Sequence, residues 1–152
     1  MGNSGLWPVQ DYLVTCSQQF GIDYNETFAP VMKYKSLRII LAIVAIKDYE
    51  LKQLDVKSAF LNADIKEEVY MKQPEGFQTG GANTVCKLQK TLYGTKQAPM
   101  EWNNVINDFI ISTGFKRCKS DVCLYTKMSK SGKVMLIGIL LVILFLRLVL
   151  KI

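Results

Sequence analysis

Gln53-Leu54-Asp55-Val56-Lys57-Ser58-Ala59-Phe60-Leu61 holds one carboxylate and, five residues later, one aromatic ring. The apolar-flanked run 51–56 reads as a strand that ends at Asp55 and turns into a helical segment. A carboxylate at a strand end is placed to hold a hard cation such as Mg²⁺, which takes oxygen ligands in an octahedral shell. The same residue equally reads as the cap of the following turn. Taken alone, the stretch leaves both readings open.

Outward from it, the period of the apolar residues changes repeatedly. Residues 36–49 carry Leu37, Ile40, Leu41, Val44 and Ala45 at helical spacing, with Ile39, Ile43 and Ile46 on a second face. A helix apolar on most sides is expected to be buried on most sides. Residues 68–72 alternate as a half-buried strand, and 84–88 and 122–127 read as further strands. Pro99 opens a helix over 99–112, since proline is preorganised for a first helical turn. Its expected buried stripe is Trp102, Val105, Ile106, Phe109 and Ile110, with Glu101, Asn103, Asn104, Asn107 and Asp108 facing out. Residues 1–12 lack periodicity and read as a loose terminus.

Composition narrows the chemistry. A chain of 152 residues with 49% hydrophobic and 21% charged content builds a real core and is not a disordered polymer. The absence of histidine excludes His-based acid–base chemistry and His-ligated zinc. Cys16, Cys86, Cys118 and Cys123 form no Cys-x-x-Cys pair. With no signal peptide they read as reduced thiols in a cytoplasmic or nuclear, not secreted, protein. Nine lysines and arginines against three acids lie between Gly80 and Lys133, which accounts for the whole net charge of +6. That half suits a phosphate backbone, or is an ordinary solvated surface.

Asp55-Val56-Lys57-Ser58-Ala59-Phe60-Leu61 resembles the first catalytic motif of the copia-type retrotransposon reverse transcriptases, a domain of the Pol polyprotein. Gly21-Ile22-Asp23-Tyr24-Asn25-Glu26-Thr27-Phe28-Ala29-Pro30-Val31 is similar to the family segment upstream. Glu68-Val69-Tyr70-Met71-Lys72-Gln73-Pro74-Glu75-Gly76-Phe77 follows at the family's distance. Val85-Cys86-Lys87-Leu88, Leu92-Tyr93-Gly94 and Lys96-Gln97-Ala98-Pro99 with Trp102 resemble its next block. The resemblance runs over 13–138. It implies an α/β (α+β) fold, a partial fingers and palm with an antiparallel sheet and both helices on one face. Strands are expected at 50–56, 68–72, 122–127 and 134–141.

The resemblance also implies the chemistry. RNA-directed DNA polymerases bind template-primer and deoxynucleotides and transfer a phosphoryl group under two metal ions, Mg²⁺ in this family. The family holds these ions with a carboxylate of the first motif and an Asp-Asp pair on a later hairpin. Asp55 matches the first, as catalytic residue and metal ligand. Phe60 matches the ring under the sugar, and Gln97 the glutamine at the incoming nucleotide. Tyr12 stands where an arginine holding the triphosphate is expected, and Met100 and Thr95 replace the usual Arg and Leu.

The Asp-Asp pair is missing. None of Asp11, Asp23, Asp48, Asp55, Asp64, Asp108 and Asp121 is adjacent to another. By position Leu141-Val142-Ile143-Leu144 fills the hairpin's place, with Ile143 and Leu144 where the carboxylates belong. The expectation is a truncated, catalytically dead copy in which Mg²⁺ binding is weak or absent and 139–152 is a divergent, out-of-frame apolar tail. Residues 139–146 hold no Gly, Pro, Asn or Asp to make a turn. They are therefore expected to continue as one element, helical beyond about Ile139, and to leave the chain insoluble until it is truncated after Lys133 or a Tyr-Val-Asp-Asp turn is restored at 141–144. Two alternatives stand beside this reading: a nucleic-acid-binding relic without catalysis, and a tail-anchored protein whose residues 134–150 contact a membrane.

Overall fold

A computed structural model of the chain describes residues 18–81, 84–129, 132–139 and 142–148, with the backbone alone given at 129, 132, 133, 139 and 142–148. Two helices, α1 (Tyr34–Lys47) and α2 (Ala98–Ser112), combine with seven strands. The strands are β1 (Tyr49–Asp55), β2 (Tyr70–Lys72), β3 (Val85–Lys87), β4 (Lys116–Arg117), β5 (Leu124–Ser129), β6 (Gly132–Ile139) and β7 (Val142–Leu148). Five form an antiparallel sheet in the order β1-β7-β6-β5-β4, and β2 pairs with β3 apart from it. The fold is mixed α+β.

The joints are local. Asp48 closes α1 in the left-handed region at φ 51°, its N–H bonded to the carbonyl of Val44, and β1 begins at the next residue. Aspartate tolerates this region better than most side chains. Tyr49 therefore belongs to the strand and not to the helix expected over 36–49. At the end of α2, Gly114 takes φ +90° and its N–H bonds the carbonyl of Ile111 at 2.8 Å. Glycine enters that region without a Cβ penalty, which makes it a common helix stop.

The helices lie on opposite faces of the sheet. Ile40 of α1 packs on Met135 and Ile137, whereas Ile110 of α2 packs on Leu136 and Tyr125. Successive residues of β6 point to opposite faces, so these clusters cannot share one. This corrects the expectation of both helices on one face. The core is thus two thin layers around β6 and not one slab.

The thin layers explain two further differences. Of α1 only Ile40 is buried, and Ile46 is 79% exposed, because no second layer among the described residues covers the helix. In α2, Trp102 and Ile110 are buried as expected, but Val105 and Phe109 are exposed and Glu101 is buried. Ala98, Trp102 and Ile106 face Ala59, Phe60 and Ala63 in a small cluster of their own.

The chain does not run on past Ile139 as one element. β6 ends there, β7 begins at Val142, and the two pair from Ile139↔Val142 back to Val134↔Arg147. The described part of 134–150 is a hairpin and not a helix. No helix among the described residues is long and apolar enough to cross a membrane.

Candidate active site

Asp55 is the last residue of β1 and is exposed. Its register partner is Val142, the first residue of β7. The hairpin between β6 and β7 therefore reverses directly beside Asp55. Ile143 and Leu144, expected at the place of the missing carboxylates, lie inside β7 opposite Leu54 and Gln53. In sequence, Leu140 and Leu141 stand between β6 and β7, and β7 opens with Val142. None has a side-chain oxygen to offer a cation.

Beyond Asp55 the chain bends hard. Ser58 sits in the left-handed region at φ 52°, and Ala59–Asn62 make one 3₁₀ turn. A non-glycine residue held there costs of order 1–3 kcal/mol and persists only where the surroundings over-determine it. Here they do. The Asn62 amide donates to the Ser58 carbonyl at 3.0 Å, and the Thr91 N–H to the Ala63 carbonyl at 2.9 Å. The Thr91 hydroxyl also donates to the carbonyl of Phe60.

This bend turns the Phe60 ring inward. Phe60 is 8% exposed, and its ring lies tilted against Tyr93 with centroids 4.9 Å apart. Gln97 is fully buried immediately before α2. Its carbonyl oxygen accepts from the Gln18 amide at 3.0 Å, and its own amide donates to the carbonyl of Asp23 at 3.1 Å. Gln18 also accepts from the Lys96 N–H at 2.8 Å. These bonds fasten the chain around residues 18–23 to the head of α2. Tyr12 lies outside the described residues.

Two groups escape a reading of the sequence. Glu101, 3% exposed, pairs with Lys66 at 2.8 Å, and its second oxygen has no hydrogen-bond partner. The hydrogen bond to Glu101 raises the Lys66 pKa against the opposing effect of burial. Helical spacing gave no sign of this, because the cation comes from a different segment. The second group is Asp121, which bonds to the start of α1. Of the basic half, Lys87 and Lys90 are paired with Glu68 and Asp64.

Reverse transcriptases use divalent metal ions, and the residues around Asp55 do not fit a pair of them. Among the described residues no group of three or more Asp, Glu, Cys or His side chains could hold a metal ion. Hard cations keep their water shell unless protein or phosphate oxygens replace it, so one exposed carboxylate does not define a two-ion site.

The family model for reverse transcriptase (RNA-dependent DNA polymerase) matches residues 11–147. The Retrovirus-related Pol polyprotein from transposon TNT 1-94 of Nicotiana tabacum is 50% identical over 111 residues, covering 72% of this chain and 8% of that protein. The Retrovirus-related Pol polyprotein from transposon RE1 of Arabidopsis thaliana is 43% identical over 110 residues, with the same coverage of 72% and 8%. The Transposon Ty1-H Gag-Pol polyprotein of Saccharomyces cerevisiae is 31% identical over 120 residues, covering 68% of this chain and 7% of that protein. The chain thus spans under a tenth of the length of these relatives. No solved structure matches. The match from 11 to 147, together with these relatives, places the chain in the reverse transcriptase family of copia-type retrotransposon Pol polyproteins.

Proposed function

We propose that this chain is the fingers-and-palm portion of a copia-type reverse transcriptase that has lost nucleotidyl transfer and retains a surface for template-primer. One observation carries the reading: Asp55 faces Val142 across the β1–β7 ladder. The family's chemistry needs further carboxylates on that hairpin, and this sequence supplies Leu140, Leu141 and Val142. Phosphoryl transfer leaves the protein mainly positioning and charge stabilisation to perform. With only Asp55 left, both tasks lose their anchor.

Phe60 and Gln97 keep their assignment to the deoxynucleotide under this reading. A nucleotide reaching Gln97 has to displace the bond from Gln18, and one reaching Phe60 meets only the ring's exposed margin. Nucleic-acid binding without catalysis would rest on shape and backbone charge, which family members apply to template-primer.

The test has two arms. Purified chain with template-primer, Mg²⁺ and deoxynucleotides is expected to extend nothing above background. In filter binding, affinity for the same template-primer is expected to fall linearly on a log–log plot as salt rises. Binding that ignores salt would remove the nucleic-acid half of the proposal.

A further inference from the structure

β1 is the outermost strand of the five-stranded sheet, and only β7 pairs with it among the described residues. No described residue pairs with the backbone N–H and C=O groups of its far side. From Glu50 to Asp55 every residue is exposed. Leu51 is 47% exposed and Leu54 52%. Natural proteins blunt such edges with charge, above all lysine, because an open edge templates pairing with another chain. Lys52 stands on this edge, but Glu50 stands two residues away on the same face, with 3.1 Å between their charged atoms. The charges at 50 and 52 therefore balance, and the lysine there does not repel a second edge of the same kind.

The pattern is self-complementary in one register. A two-fold axis perpendicular to the sheet allows only pairings in which some residue faces its own copy, since otherwise the pleats of the two strands do not match. With Glu50 or Lys52 on the axis, like charges meet. With Gln53 on the axis, Lys52 faces Leu54 and no charges pair. With Leu51 on the axis, Leu51 faces Leu51, and Glu50 of each copy faces Lys52 of the other. Tyr49 then faces Gln53. We propose that the free edge of β1 pairs antiparallel with β1 of a second copy of this chain in this register, giving a continuous ten-stranded sheet. Cross-strand pairs of opposite charge favour such a ladder, and directly opposed like charges disfavour it.

Charge reversal tests the pairing between chains separately from the fold within one. Glu50→Lys puts positive charge at both 50 and 52, and Lys52→Glu puts negative charge at both. By sedimentation equilibrium the unaltered chain is expected to be a dimer. Each variant alone is expected to dimerise roughly tenfold or more weakly, from two reversed cross-strand pairs. An equimolar mixture of the two is expected to regain the dimer as a heterodimer, because each positive edge then meets a negative one. Far-UV circular dichroism of each variant checks its fold. Should either misfold, Leu51→Glu sets like charges face to face on the axis and is expected to be monomeric. A monomeric unaltered chain, whether its β1 edge is bare or covered by another segment, would overturn the proposal. So would a dimer that none of these substitutions weakens, or a mixture no tighter than its components.

Discussion

Asp121 accepts hydrogen bonds from the backbone N–H of Lys33 at 3.0 Å and of Cys123 at 3.1 Å, and so ties the start of α1 to the start of β5. Burial pushes its carboxyl pKa up. Hydrogen bonds from Ser36 and from the Cys123 and Lys33 backbone, with the Lys33 charge, outweigh burial and hold it below the usual carboxylate value. A depressed folded-state pKa contributes stability that is present above the unfolded pKa and is lost as pH falls through the folded one. Asp121→Asn is therefore expected to destabilise by about 1–3 kcal/mol at neutral pH. In urea unfolding the gap to the unaltered chain should narrow once pH drops below about 4. The Lys66–Glu101 pair is asymmetric, since Lys66 is mostly solvated and Glu101 is not. Lys66→Ala leaves a buried carboxylate without its cation and is expected to cost about 2 kcal/mol or more. Glu101→Gln in that background should restore part of the loss. If the two changes add, the pair is not coupled. Neither group was legible as buried, because each takes its partner from a segment far off in sequence. Asp55 at a strand end was legible, since the period changes there within a few residues.

At the scale of elements, the β6–β7 hairpin forms without any residue that favours a turn. Residues 139–146 offer only apolar side chains, so local chemistry points to a continuous element. What local chemistry lacks is the slot between β1 and β6, which pairs β7 on both sides. Tertiary pairing overrides propensity here, as it commonly does for strands. The consequence reverses the expectation for truncation. Met135, Leu136 and Ile137 of β6 are the residues on which α1 and α2 pack. Ending the chain after Lys133 removes all three, and β7 with them. The truncated chain is expected to be less soluble than the full one in the same host and to show no cooperative urea transition. A soluble, cooperatively folding truncation would show that the core does not centre on β6.

At the scale of the whole molecule, the sheet has a helix on each face, and Asp55 stands at its edge beside the hairpin's reversal. The order of elements from α1 to β6, apart from the two-residue β4, could be read from hydrophobic period, and β7 could not. The sidedness of the helices could not, because it depends on which residues of β6 each helix meets. The central claim is that this frame survives while nucleotidyl transfer does not. Metal and electrostatic contributions of this kind supply several kcal/mol of barrier lowering, so their loss costs more than about a hundredfold in rate. The most direct test is primer extension on a defined RNA template with Mg²⁺, run in parallel on the unaltered chain and on Asp55→Asn. The account predicts no template-dependent product from either. Extension by the unaltered chain that disappears in Asp55→Asn would contradict it.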